Sequence, residues 1–223
     1  MIVKLKYFHA NNNHMPQEHT PMKDPGGYLS EDQVLRLIDS CENLRDKALI
    51  ATLAYTPRRV SEIVSSLRMS DIKWEDGMAV FTILKKNPRQ RRDDGSLTPA
   101  SDPPKKLKYV HPALLSIWRQ YVDAFMITDD QFLFPFTRVT AFNIVRRIGE
   151  KAGITHVGSK RIHPHHFRHT FLTLASRHVK TVSGMQTLKR EAEHSSEDMT
   201  AHYIGSAHDE AKAMYKRMFR NKV

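Results

Sequence analysis

Apolar residues recur at helical spacing along most of the chain. Near its start, Ser30 precedes two acidic residues in the position of a helix cap, and Val34, Leu35 and Ile38 follow at helical spacing. Comparable patterns predict further helices over approximately residues 43–55, 58–67, 112–125, 138–151, 164–178, 181–192, 196–204 and 208–220.

A shorter stretch has the composition of a β-strand. Residues 78–84, "MAVFTIL", are mostly apolar, β-branched or aromatic, and they follow a turn at Asp76-Gly77. Residues 107–110, "LKYV", are the expected return strand. No internal repeat is apparent. The prediction is a mainly α domain with a small antiparallel β-sheet, in the α+β class.

Composition and charge narrow the class of protein. The chain has 223 residues, of which 40% are apolar, enough for one sizeable core, and residues 1–28 predict an irregular arm. The formal net charge is +11 and the pI is about 9.8, a surplus that favours a polyanionic partner, with DNA or RNA first. A basic protein without such a partner is the alternative at this point.

Cysteine usage and hydropathy exclude several other classes. Cys41 is the single cysteine, so the chain has neither an internal disulfide nor a multi-cysteine zinc site, and nothing marks this thiol as a nucleophile. The sequence has no apolar run of transmembrane length and no leader ahead of a cleavage site. These features predict a soluble protein of the cell interior with no membrane partner.

The stretch "PHHFRHT", residues 164–170, concentrates histidine and arginine on one predicted helix. Phe167, Phe171 and Leu174 have the spacing of a core face, and His165 and Arg168 share a neighbouring face. A histidine beside an arginine is suited to transfer a proton and stabilise negative charge at one anionic centre.

Two other interpretations of this stretch stay open on local grounds. His165 and His169 lie four residues apart and have the spacing to bind a divalent cation, although no carboxylate within the stretch completes the ligand set. The second is a purely structural histidine cluster.

Two further blocks carry candidate chemistry. "YTPRRVSE", residues 55–62, places an arginine at the head of a predicted helix, where a planar guanidinium is suited to bind phosphate. In "EAEHSSEDMTAHYIG", residues 191–205, His194 precedes a capping serine and Tyr203 follows nine residues later. A single tyrosine is ordinarily a packing residue, so the block alone assigns it no role.

Together, the three blocks resemble the tyrosine recombinase (phage integrase) family. The resemblance covers roughly residues 29–205 and rests on Arg59-Val60-Ser61-Glu62, on His165-x-x-Arg168-His169-Thr170-Phe171, and on His194-Ser195-Ser196 with Tyr203. It implies a catalytic domain over residues 29–205, a helical tail over residues 206–223, and a site-specific recombinase or integrase. That enzyme cleaves and rejoins double-stranded DNA in a prokaryotic or virus-infected cell, without a metal, ATP or another cofactor.

The resemblance also assigns roles to individual residues. Tyr203 is the implied nucleophile, which becomes a 3′-phosphotyrosine, and Arg59 and Arg168 bind the non-bridging phosphate oxygens. His165 assists proton transfer and His194 hydrogen-bonds the phosphate.

The family's general acid is a lysine on the β-hairpin, and the segment "ILKKN" at residues 83–87 carries the corresponding position. Lys85 fits best and Lys86 is the alternative. We also expect Arg58 and Lys86, together with Arg89, Arg91 and Arg92 of a long basic loop at residues 85–108, to contact DNA. A solvated loop that contacts nothing is the alternative for this segment.

Several positions depart from the family pattern without removing a catalytic group. Pro57 and Glu193 each replace a usual glycine, and His166 replaces a usual acidic residue. Leu67 comes one residue late, which predicts a one-residue insertion. Because Arg58 precedes Arg59, the two arginines are interchangeable in principle, and the register of the block favours Arg59.

The resemblance also implies how the protein assembles on DNA, and several other functions stay open. The family implies a tetramer on two paired DNA sites, with residues 207–223 docking on a neighbouring copy or, alternatively, packing on their own domain. Only 28 residues precede Leu29, where the family usually has a separate DNA-clamping domain. The rival functions are a type IB topoisomerase-like enzyme, a catalytically silent DNA-binding scaffold and a metal-dependent nuclease.

Overall fold

Most helices begin where a polar side chain accepts the first backbone N–H groups. In the computed structural model, which describes residues 27–84, 102–179 and 181–192, the hydroxyl of Ser30 accepts the Gln33 N–H at 3.2 Å, and Asn43 and Thr137 cap two later helices. None of the helices described is long and apolar enough to cross a bilayer. They are α1 (Glu31–Asp39), α2 (Leu44–Tyr55), α3 (Val60–Ile63), α4 (Pro112–Phe125), α5 (Arg138–Lys151), α6 (Pro164–His178) and α7 (Val182–Ala192).

Two small antiparallel sheets accompany these helices. Strands β1 (Ile72–Lys73), β2 (Met78–Thr82) and β3 (Lys105–Tyr109) form the first sheet in that order, and β4 (His156–Val157) pairs with β5 (Lys160–Arg161) just before α6. Strands β2 and β3 pair along their whole length, from the pair Met78–Tyr109 to the pair Thr82–Lys105. The predicted class, mainly α with a small antiparallel sheet, is confirmed.

The helix predicted over residues 58–67 is wrong in length, because α3 ends at Ile63. Ser65 has a left-handed backbone conformation, with φ at 52°, and its N–H donates to the carbonyl oxygen of Phe134 at 3.0 Å. Leu67 then returns to the core with 1% exposure. The extra residue ahead of Leu67 is therefore accommodated in a turn, and the helix is shortened.

The return strand also begins earlier than predicted. Strand β3 starts at Lys105, two residues before the predicted stretch 107–110, so residues 105–108 belong to the sheet rather than to the basic loop predicted over 85–108. Backbone pairing with β2 sets this boundary, since the first three residues of β3 are exposed and show no alternation of burial.

Helix α2 lies at the centre of the domain and packs against α1, α4, α5 and α6. Every residue from Ala48 to Tyr55 is buried, which a helix surrounded by others requires. Trp118 of α4 is fully buried, and its indole N–H donates to the Thr52 hydroxyl at 2.8 Å. A second, smaller apolar cluster joins α6, α7 and β3; it consists of Tyr109, Phe171, Leu174, Ala175 and Leu188.

The segment that enters the domain is fastened to α6. Leu29 is fully buried, and its backbone N–H donates to the Thr170 hydroxyl at 2.8 Å. The Tyr28 ring meets His169 edge-on with 6.4 Å between centroids, and its hydroxyl accepts a hydrogen bond from Arg177. Three residues of α6, spread over about two helical turns, therefore hold the first residues of the domain.

Candidate active site

Histidines cap the helix that carries the "PHHFRHT" stretch. The Nδ1 atom of His163 accepts the His165 N–H at 3.2 Å, and Nδ1 of His166 accepts the His163 N–H at 3.2 Å. Pro164 occupies the first helical position, where no N–H is needed. His166 thus takes the acceptor role that a carboxylate serves in a capping box, which explains how a histidine fits this position. Both rings accept at Nδ1 only when they are neutral.

Acid is expected to destabilise these histidine caps. Burial, followed by the charges of His163 and His165, lowers the pKa of His166 to about 4. Burial likewise lowers the pKa of His111 to about 4, and this histidine caps α4 by accepting the Ala113 N–H at 3.2 Å. Because the unfolded chain binds these protons near pH 6.5, the free energy of unfolding should fall as the pH drops from about 6.5 to about 4. Thermal unfolding across this range measures the effect.

Single histidine substitutions separate the titration of these caps from other effects of low pH on stability. Asparagine is a good cap that does not titrate, so His111→Asn should make the melting temperature less dependent on pH over this range. His156→Asn, at an exposed strand position, is the control. A His111→Asn variant with the same pH dependence as the wild type would contradict the assignment.

An open cleft of about 350 Å³ runs along α6, and it is lined by His165, Arg168, His169, Leu172, Thr173 and Ser176. No carboxylate is among these lining residues, so the cleft is suited to an anion. The pKa of His165 is lowered by burial first and then by the positive charges of Arg168, His169 and Arg59. A neutral His165 imidazole is a proton acceptor at neutral pH.

Arg168 connects the cleft to the turn that carries the two adjacent arginines. Its side chain is buried, and its Nη1 group donates to the carbonyl oxygen of Pro57, two residues before Arg59. Arg59 is the residue before α3, and its backbone N–H and its Nη1 each donate to a Glu62 carboxylate oxygen at 3.0 Å. Because Glu62 is fully buried, it holds Arg59 in place.

The two neighbouring arginines have different surroundings. Arg59 is partly exposed and close enough to His165 to lower the pKa of that imidazole. Arg58 is 1% exposed, its guanidinium lies over the Phe81 ring at 5.7 Å from the centroid, and its Nη2 donates to the carbonyl oxygen of Glu191. Such burial gives no support to the predicted contact between Arg58 and DNA, which stays a prediction.

The structure brings three predicted site residues together, namely Arg59, His165 and Arg168. Apart from Arg58, the other predicted residues lie outside the described part of the chain: Lys85, Lys86, Arg89, Arg91, Arg92, His194 and Tyr203. Two described elements lead directly to them, because β2 ends at Thr82 and α7 ends at Ala192.

Sequence reasoning missed a buried ion pair between Lys108 of β3 and Glu191 of α7, whose Nζ and Oε1 atoms are 3.2 Å apart. The two residues are 83 positions apart, so no local pattern pairs them. The sequence does contain one indication of it. Glu191 is a charged residue three positions after Leu188, so it lies on the same side of the helix as that buried leucine.

Two further expectations from the sequence concern the cysteine and a metal site. Cys41 is half-buried, its thiol donates to the Leu37 carbonyl oxygen at 3.3 Å, and burial raises its pKa to about 12. A thiol with that pKa is a poor nucleophile at neutral pH. Within residues 27–84, 102–179 and 181–192, no group of three or more His, Cys, Asp or Glu side chains is placed to hold a metal ion.

The fold is that of tyrosine recombinase catalytic domains. An integrase from mycobacterium phage Brujita superposes with a TM-score of 0.61 at 18% identity, over 88% of this chain and 60% of that chain. XerH site-specific recombinase, solved in a pre-cleavage complex with its difH substrate, gives a TM-score of 0.54 at 16% identity, over 85% of this chain and 50% of that chain.

The chain belongs to the phage integrase family, whose sequence pattern matches residues 27–210. Tyrosine recombinase XerD of Proteus mirabilis is 30% identical over 187 residues, which cover 78% of this chain and 54% of that protein. The chain spans about half the length of the curated relatives it matches.

Proposed function

We propose that this chain is the catalytic domain of a site-specific DNA recombinase or integrase. It cleaves and rejoins DNA strands through a covalent 3′-phosphotyrosine on Tyr203 and needs neither a metal ion nor ATP. The observation that carries the proposal is a cleft lined by His165 and Arg168, with Arg59 close enough to His165 to lower its pKa. The contact between Arg168 and the Pro57 carbonyl oxygen joins this cleft to the turn that carries Arg59. The net charge of +11 supports DNA as the partner.

In the proposed cleavage step, the Tyr203 hydroxyl oxygen attacks the scissile phosphorus and the bond to the 5′ oxygen breaks. The tyrosine proton passes to His165, whose lowered pKa keeps its imidazole neutral and able to accept it. Lys85 donates a proton to the leaving 5′ oxygen. Arg59 and Arg168 balance the charge that builds on the non-bridging oxygens.

Rejoining is the reverse of this step. A 5′-hydroxyl attacks the phosphotyrosine, the tyrosine leaves, and the same groups return the protons. His194 hydrogen-bonds the phosphate in both directions. We further propose that four copies act on two paired DNA sites, with residues 207–223 contacting a neighbouring copy.

The direct test is trapping of the covalent intermediate. We expect the wild-type chain, with a nicked suicide substrate from a panel of candidate sites in buffer with EDTA, to form an adduct that survives denaturant. Tyr203→Phe should form none, because the ring keeps its shape and loses the attacking oxygen. Denaturing gel electrophoresis of labelled DNA measures the adduct.

The substrate panel also separates the alternatives. An adduct that requires a divalent cation, or that persists in Tyr203→Phe, would contradict the proposed chemistry. Tight binding to a cognate site without an adduct would favour a silent DNA-binding scaffold.

The basic loop gives a second prediction, on affinity. If Arg89, Arg91 and Arg92 contact phosphates, replacing all three with glutamine should make the plot of log K against log salt less steep by about 2–3. Replacing the same three with lysine keeps their charge and is the control. An unchanged slope in the glutamine variant would place the loop outside the DNA contact.

A further inference from the structure

A buried cluster of charges holds the C-terminal end of α7. Lys108 of β3 is 9% exposed and Glu191 is 8% exposed, and the Lys108 Nζ donates both to Glu191 Oε1 and to the Arg190 carbonyl oxygen, each at 3.2 Å. From the turn that precedes α3, Arg58 donates to the Glu191 carbonyl oxygen. Two cations from other elements therefore contact one end of a single helix.

The contacts have a clear electrostatic basis. The last carbonyl groups of a helix have no partner within it and carry partial negative charge, so cations are favoured there. The carbonyls of Arg190 and Glu191 belong to this last turn, because α7 ends at Ala192. Lys108 and Arg58 thus close the end of α7 from outside, and the Glu191 carboxylate balances the charge of Lys108.

The position of the cluster relates it to the proposed chemistry. Arg58 adjoins Arg59, and Lys108 lies on β3, where it pairs with Ala79 of β2. His194 follows Glu191 by three residues, so its Cα lies within roughly 10–11 Å of the Glu191 Cα along any path of the chain. An anchor at Glu191 therefore restricts where His194 lies relative to Arg59.

Stability alone is a weak explanation for these charges. Replacing a buried ion pair with apolar side chains of similar volume is often neutral or stabilising. Leu188 of α7 already packs with Phe171, Leu174 and Tyr109 in an apolar cluster, so apolar contacts are available to attach this helix. An ion pair adds a fixed orientation, because its hydrogen bonds set the rotation and position of the end of α7.

We infer that Glu191 is a positioning residue, which acts with Lys108 and Arg58 to fix the end of α7, and with it His194 three residues further on, relative to Arg59. The inference rests on the proposed function and extends it to a residue that touches no substrate. It assigns to the cluster an effect on the phosphate-binding groups, His194 and Arg59, and no effect on the general acid.

The test compares adduct formation on two substrates in single-turnover experiments. One is an ordinary phosphodiester, and in the other sulfur replaces the scissile 5′ bridging oxygen, so that the leaving thiolate needs no proton. Glu191→Gln should slow adduct formation by about 10–100-fold on both substrates, because sulfur does not correct misplaced groups. Lys85→Ala should be slow on the ordinary substrate and recover on the sulfur substrate.

Two further variants separate positioning from stability. Lys108→Met/Glu191→Met removes both charges, so its melting temperature should stay near that of the wild type while adduct formation remains slow on both substrates. It also keeps the test valid if Glu191→Gln alone does not fold. Glu42→Gln breaks an exposed ion pair with Lys151 and should form adduct at the wild-type rate.

Each outcome bears on one claim. A wild-type chain without an adduct on any substrate would overturn the proposed function, and the inference with it. Given a wild-type adduct, a Glu191→Gln variant with the wild-type rate would overturn the inference alone. Recovery of the Glu191→Gln variant on the sulfur substrate would also overturn the inference, because it would show that the substitution acts on the general acid Lys85. A double methionine variant with both normal stability and the normal rate would reduce the cluster to packing.

Discussion

Replacing Arg168 with lysine should slow the proposed strand cleavage by roughly 10²–10³-fold, the usual cost of losing one donor to a developing negative charge. The planar guanidinium has the geometry to bind phosphate oxygens in pairs, and the ammonium of lysine does not reproduce it. The variant also loses the donor to the Pro57 carbonyl oxygen. Quantifying adduct over time on a suicide substrate measures the rate.

The control for this substitution lies on the same helix. Arg177→Lys changes an exposed arginine that contacts Tyr28 and does not line the cleft, so it should cleave at nearly the wild-type rate. Binding and thermal unfolding of both variants show whether the loss at Arg168 is specific to the chemical step. Normal cleavage by Arg168→Lys would contradict its assignment to the phosphate.

A double substitution reports the contact between the two arginine positions. Because Arg168 holds the turn that carries Arg59, losing Arg168 also displaces Arg59. The effect of Arg59→Lys should therefore be smaller in an Arg168→Lys background than in the wild type. If the two arginines acted independently, the fold-losses in cleavage rate of the two single variants would multiply in the double variant.

Removal of Trp118 should have the largest effect on stability. This side chain is fully buried between α4 and α2, and its indole N–H donates to the Thr52 hydroxyl at 2.8 Å. Trp118→Ala should lower the free energy of unfolding by about 3–5 kcal/mol, through lost burial and the cavity left behind. At about 2–4 °C per kcal/mol, the melting temperature should fall by roughly 6–20 °C.

Two controls separate the contributions at this site. Trp118→Phe keeps most of the ring volume and loses the hydrogen bond, so its cost should be clearly smaller than that of alanine. Val139→Ala, at a side chain 69% exposed, should leave the melting temperature nearly unchanged. Equal melting temperatures for Trp118→Ala and the wild type would contradict the description of the core.

Helix α6 was predictable from sequence because several local signals agree there. Phe167, Phe171 and Leu174 have helical spacing and are all buried, and Pro164 marks the first turn. The same agreement is missing around Ser65, where a hydrogen bond to the distant Phe134 carbonyl ends the local helix. Strands β1, β4 and β5 have two residues each, too few to show a period.

Of the candidate site, too, only a part could be predicted from the sequence. The proximity of Arg59, His165 and Arg168 was predictable, because these residues lie in short blocks whose order and spacing carry the resemblance. The different surroundings of Arg58 and Arg59 were not, because adjacent arginines in a sequence do not reveal which one a distant Phe81 or Glu191 will contact. The histidine caps were equally hidden, since they depend on which ring nitrogen accepts.

The attachment of Tyr28 and Leu29 to α6 has a mechanical consequence. A pull or twist applied to the chain at residue 27 first loads the contacts with Thr170, His169 and Arg177, which lie on the helix that carries Arg168. Tension on the entry segment is thus transmitted directly to the helix that carries His165 and Arg168.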